Sequence, residues 1–137
     1  MSTLQEFLNS NPIDNLTEEV VISERFKDRD GNVLKFKIRA MTSKEFDDIR
    51  KRSMRLKKGR QFELDVERFN SAIVINQTVV PDFRNAASIE KLGCATPEEY
   101  LNKVLLAGEI AELVNQIQRL SGFDRDMNEL IDEAKTD

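Results

Sequence analysis

The sequence predicts an α+β fold, mainly helical, in a single domain over residues 1–137, with one β-hairpin at about residues 19–41 packed against helices. Three observations carry this. Apolar residues alternate with period two over Leu34 to Ala40 and then recur at helical spacing from Thr42 onward. Helix start and stop residues stand at the joints. The length, 137 residues, suits one core and no second.

Taken in order, Ser2 or Thr3 can cap a short helix whose Leu4, Phe7 and Leu8 lie on one side. Pro12 and the asparagines around it end that helix. Leu34, Phe36, Ile38 and Ala40 alternate with Lys35, Lys37 and Arg39, so one face of that strand is wet. On the partner strand Val20, Ile22 and Phe26 share a parity, and Asp30-Gly31 supplies the turn. Thr42 and Glu45 have capping-box spacing. The helix they open is expected to carry Phe46, Ile49 and Leu56 on one stripe and to stop at Gly59. A further helix from Asp65 to Asn76 turns Val66, Phe69 and Ile73 inward, and Pro81 makes Val80 extended. Ser88 to Leu92 form one or two turns closed by Gly93, and Thr96-Pro97-Glu98-Glu99 starts another helix. The predicted core is Phe36, Ile38, Phe46, Ile49, Phe69, Ile73, Val104, Leu113 and Ile117.

Gly108 interrupts what would otherwise be one long helix. At 100° per residue, the stripe of Leu101, Val104 and Leu105 is displaced by roughly 140° from that of Ile110, Leu113, Ile117 and Leu120. A straight helix would expose one half. A break within two residues of Gly108 lets both halves face the core, and glycine is expected to serve as the hinge, with Glu109 opening the second half. Gly122 reads as a helix C-cap with Phe123 folded back on it. Beyond it, Met127, Leu130, Ile131 and Ala134 stand at helical spacing in a charged segment. Those four side chains offer little apolar area to offset the ordering entropy of the segment after Gly122, so that helix is expected to be only marginally docked.

Composition excludes more than it assigns. The chain is polar, with mean hydropathy −0.50, yet its apolar periodicity is too regular for a disordered polymer. A net charge of −4 and a pI near 5.1 disfavour nucleic acid or an anionic membrane as partner. No apolar run approaches a membrane span, and the first residues lack a secretory signal. One cysteine, Cys94, forms no internal disulfide and suits a reducing cytoplasm. With no histidine, one thiol and no glycine-rich phosphate loop, neither catalytic residue, cofactor site nor metal site is predicted. Counting an EF-hand loop from Asp28 puts Val33 and Arg39 where Gly and Glu are required, so DRDGN is a turn. The run RKRSMRLKKGR holds seven cations; a solvated helix end, a site for an acidic protein and a nucleic-acid site all remain open for it.

A hairpin written FKDRDGNVLKFKIRA, a central TVVPDF, a helical LLAGEIAELVNQIQRLSGF and a terminal IDEAK resemble the XkdN-like tail assembly chaperones of phages and defective prophages with contractile tails. The similarity runs from about Glu18 to Lys135 and is strongest at Gly108, Glu109, Ile110, Leu113, Ile117, Leu120, Gly122 and Phe123, with Pro81 and Glu133 to Lys135 matching more loosely. Ala107 stands where such proteins carry a proline. The resemblance implies a soluble protein of the bacterial host cytoplasm, absent from the mature particle. It would bind the tape measure protein and keep it soluble until tail tube subunits polymerise around it. In many such phages a frameshift adds a longer form. The tail tube protein and a second copy of the chain are further partners left open, as is the runner-up role of a structural tail or head–tail connector component. Apolar side chains on the terminal helices are the partner-binding candidates: Leu4, Phe7 and Leu8 at one end, and, as the better candidate, Met127, Leu130 and Ile131 at the other.

Overall fold

Short polar side chains start five of the described helices, and the turns expected from Ser88 begin at Ala86. The computed structural model describes residues 2–13 and 16–123. Ser2 caps α1 (Thr3–Ser10), Thr42 caps α2 (Ser43–Arg52) and Asp65 caps α3 (Val66–Gln77), each accepting the N–H three residues on. Asn85 and Thr96 do the same for α4 (Ala86–Lys91) and α5 (Pro97–Val104). At α2 the capping box is complete, because Glu45 also accepts from the Thr42 N–H at 3.0 Å. The last described helix, α6 (Ala107–Leu120), ends at Gly122, whose φ of +97° needs a residue without Cβ strain. There the Phe123 N–H reaches the Gln118 carbonyl at 2.9 Å, and its ring folds onto Phe46 at 5.4 Å.

Between these helices lie two small antiparallel sheets. The first has the order β1 (Thr17–Val20), β2 (Phe36–Arg39), β5 (Thr78–Val80). Val20 stands opposite Phe36 and Thr17 opposite Arg39, and a bulge between Lys37 and Ile38 fits β5 to the other edge. The second sheet is a hairpin, β3 (Met54–Lys57) against β4 (Gln61–Leu64). This is the predicted α+β class.

The core lies between the first sheet and helices α2, α3, α5 and α6. Ile38, Ile73, Leu101, Leu113 and Ile117 are completely buried, with Phe36, Ile49, Phe69 and Phe83 nearly so. Seven of the nine predicted core residues are buried, and the other two, Phe46 and Val104, pack half-buried against them. Polar groups stitch the layers together. Gln77 is buried, donates to the Ala40 carbonyl at 3.1 Å and accepts from Arg39 at 3.2 Å. Ser121 Oγ accepts the Met41 N–H at 2.9 Å, tying the end of α6 to the exit of β2.

Several details of the expected elements differ. The helix from Thr42 stops at Arg52 rather than Gly59, because the chain turns at the buried Ser53 into β3. Gly59 serves a hairpin turn at φ +83°, so Leu56 is on a strand and 66% exposed. The predicted hairpin at 19–41 is laddered at its base; between Val20 and Phe36 the chain is irregular apart from one bridge, Lys27 to Val33. Leu34, outside the ladder, is exposed, and so is Val66, which begins α3 a turn before its packed stretch.

Candidate functional site

Two features stand out as places where this fold could act on another molecule, and the first is α1. Its eight residues bury none of their side chains. Leu4, Phe7 and Leu8 are 67%, 60% and 55% exposed on one side of the helix. The cap from Ser2 to the Gln5 N–H, a Gln5 to Asn9 bond and the Asn11 side chain on the Phe7 carbonyl hold the helix locally. Local bonds alone rarely sustain so short a helix in water, where packing usually supplies most of the stability. An apolar helix face without cover is the geometry by which helices lie in a partner's groove or accept a partner's helix. Ile13 and Leu16, just beyond α1, are exposed as well.

The second feature is the corner between α5 and α6. The interruption inferred from the phase shift is present, but its two non-helical residues are Leu105 (φ −118°, ψ 144°) and Leu106 (φ −75°, ψ 155°). Gly108 is the second residue of α6, has helical neighbours and has open space where a Cβ would stand. Extended backbone is available to any residue, so no glycine is required at the break. Leu105 turns inward, 7% exposed, and Leu106 outward, 60% exposed, which lets Leu101 and Leu113 both face the core.

Glu109 fixes this corner. Leu106 has no side-chain oxygen to cap α6, and Glu109 instead reaches back to accept the Leu106 N–H at 2.7 Å. The same carboxylate takes two bonds from Arg25, at 2.7 and 3.0 Å, while Arg25 also donates to the Val104 carbonyl at 3.0 Å. Arg25 further lies over the Phe26 ring at 4.5 Å. The Arg25 bonds, and then the Leu106 N–H, hold the Glu109 carboxyl below the ordinary carboxylate value against the opposing effect of burial. One arginine from the long β1–β2 connection thereby fastens the end of α5 and the start of α6.

The predicted partner-binding residues and the predicted hinge are thus placed unevenly. Leu4, Phe7 and Leu8 form the exposed face of α1; Gly108 is exposed in the first turn of α6; Met127, Leu130 and Ile131 lie outside the described residues. The structure does not gather α1 and the corner into one buried site. Sequence reading missed Arg25, because nothing local marks a residue whose partner is 84 positions away. Among the described residues no three His, Cys, Asp or Glu side chains are grouped to hold a metal, and no helix is long and apolar enough to cross a membrane. The Asp28 side chain accepts the N–H groups of Asp30 and Asn32, closing a turn.

Comparison with known proteins finds relatives over nearly the whole chain. A family model described as phage XkdN-like tail assembly chaperone protein matches residues 4–135. The phage-like element PBSX protein XkdN of Bacillus subtilis (strain 168) is 34% identical, over 96% of this chain and 93% of that protein. The uncharacterized protein YqbN of the same organism is also 34% identical, over 96% of this chain and 92% of its own length. The crystal structure of the protein YqbN superposes with a TM-score of 0.71 at 33% identity, covering 90% of this chain and 99% of that one.

Proposed function

The chain belongs to the phage XkdN-like tail assembly chaperone family, and on that basis we propose that it binds the tape measure protein and keeps it soluble while the tail tube assembles. The observation that supports this reading is the uncovered apolar face of α1, Leu4, Phe7 and Leu8. A long, helix-rich client exposes apolar stripes before the tube encloses it. A chaperone covers such stripes by offering apolar side chains that its own core does not need. The core here is complete without α1, so the helix can exchange solvent for a client at little cost to the fold.

In this reading the protein works as one unit in the host cytoplasm, catalyses nothing, and leaves before the particle matures. Met127, Leu130 and Ile131 supply a second set of client contacts at the other end of the chain. The test is co-expression with the tape measure protein of the same gene cluster. The wild-type chain is expected to co-purify with it and raise its soluble fraction. The triple change Leu4→Ser, Phe7→Ser, Leu8→Ser should abolish both effects while leaving the fold intact. A tape measure protein that is equally soluble without the chaperone would overturn the proposal. Mass spectrometry of purified particles separates it from a connector role, since a connector stays in the particle.

A further inference from the structure

The β3–β4 hairpin is the part of the fold that neither the core nor the α1 face explains. Its pairs alternate between two faces. Met54 opposite Leu64 and Leu56 opposite Phe62 share one face; Arg55 opposite Glu63 and Lys57 opposite Gln61 share the other. At the base the hairpin is anchored: Ser53 is buried, its carbonyl accepts the Asp65 N–H at 2.8 Å, and Leu64 packs on the core. Farther out the apolar face continues without cover, with Leu56 66% and Phe62 67% exposed. A directly opposed leucine and phenylalanine add cross-strand stability, but that does not require both to remain in water.

The charge around this pair is one-sided. Residues 50–64 hold seven cations against one carboxylate, net +6 in a chain of net −4, so the remaining residues carry −10. The single acid, Glu63, is taken by Arg55 at 2.7 Å, with Lys57 at 3.9 Å. Among the described residues Lys58 and Arg60, at the turn beside Leu56 and Phe62, form no ion pair. Arg60 is also held at φ +64°, a conformation non-glycine residues seldom take.

We infer that the outer end of this hairpin is a docking surface for an acidic, apolar-striped peptide segment of a partner protein. Leu56 and Phe62 receive its apolar side chains, and Lys58 and Arg60 at the turn face its carboxylates. Charge complementarity selects this occupant: a cationic projection on an otherwise acidic molecule attracts an acidic segment and orients its approach. Nucleic acid fits less well, because a duplex reaches past the patch to the −10 carried elsewhere, which a short segment need not do, and the patch offers one aromatic ring rather than a stacking platform. The surface is separate from α1, and the inference leans on the chaperone reading only for which protein carries the segment.

Fluorescence anisotropy with the full chain tests it. The probe is a labelled synthetic peptide bearing Leu at positions i, i+3, i+4 and i+7 and Glu or Asp between them. Binding is expected to weaken as salt rises. It should fall at least about tenfold in Leu56→Thr/Phe62→Thr, which keeps strand-forming residues. It should fall similarly in Lys58→Gln/Arg60→Asn, where asparagine accepts the left-handed backbone. Circular dichroism and unchanged thermal unfolding establish that both variants fold. Binding that survives both changes overturns the inference, as does a peptide that the wild type ignores. Tighter binding of a DNA duplex at the same residues, or a dimer lost in the Leu56/Phe62 variant, would assign the face to a different occupant and equally overturn it. None of these outcomes bears on co-purification of the tape measure protein through α1.

Discussion

Arg25 and Glu109 are 84 residues apart in sequence and meet in a two-point ion pair, with bonds of 2.7 and 3.0 Å. Charge-assisted bonds of this two-point form are the stronger kind, and Glu109 is shielded from water, although Arg25 is half exposed. Replacing Glu109 by Gln keeps an acceptor for the Leu106 N–H but loses the charge. It is expected to cost about 1–3 kcal/mol in denaturant unfolding. Arg25→Ala should also destabilise, and the double variant should lose less than the sum of the two single losses, because both remove one interaction.

The same pair gives a pH signature. The Glu109 carboxyl is depressed in the folded protein, chiefly by Arg25. Its contribution is therefore full above the ordinary carboxylate pKa and is lost as pH falls through the lower folded value. The stability gap between wild type and Glu109→Gln should be widest near neutral pH and shrink in acid below about pH 4. A gap that grows on acidification would contradict this assignment.

Gly108 and Gly122 should respond in opposite directions to alanine. Gly108 is helical with open space at its Cβ position, so Gly108→Ala is expected to raise stability by up to about 1 kcal/mol. Gly122 sits at φ +97°, so Gly122→Ala should lose roughly 1–2 kcal/mol. Thermal melts of the two single variants decide the matter. A destabilised Gly108→Ala would mean that the glycine acts in a conformation other than the helical one.

Core and surface should separate sharply. Leu113 and Ile38 are fully buried, and truncating either to alanine should cost about 2–5 kcal/mol. Leu4→Ala or Phe7→Ala, on the uncovered face of α1, should stay within about 0.5 kcal/mol in unfolding experiments. If the α1 changes cost as much as core truncations, the helix is packed in solution and its face is not available to a client.

Much of this was determined by the sequence alone, because the deciding forces are local. Ser2, Thr42, Asp65 and Thr96 cap the N–H three residues ahead, and a capping residue needs no distant partner. Period-two alternation marks Phe36 and Ile38 for burial, and the phase shift between Leu101 and Leu113 demands a break that two extended leucines supply. The apolar side of α1 is equally legible, since three residues at helical spacing define it. Tertiary structure decided the rest. Gly59 could end a helix or turn a hairpin, and the choice went to the hairpin, where Met54, Leu56, Phe62 and Leu64 share a face and Leu64 reaches the core. Whether the β1–β2 pair would gain a third strand depended on β5 returning from α3 to the free edge of β2. The fastening of the α5–α6 corner waited on Arg25, because a long-range ion pair follows from where the backbone brings two charges, and no spacing within either segment encodes that distance.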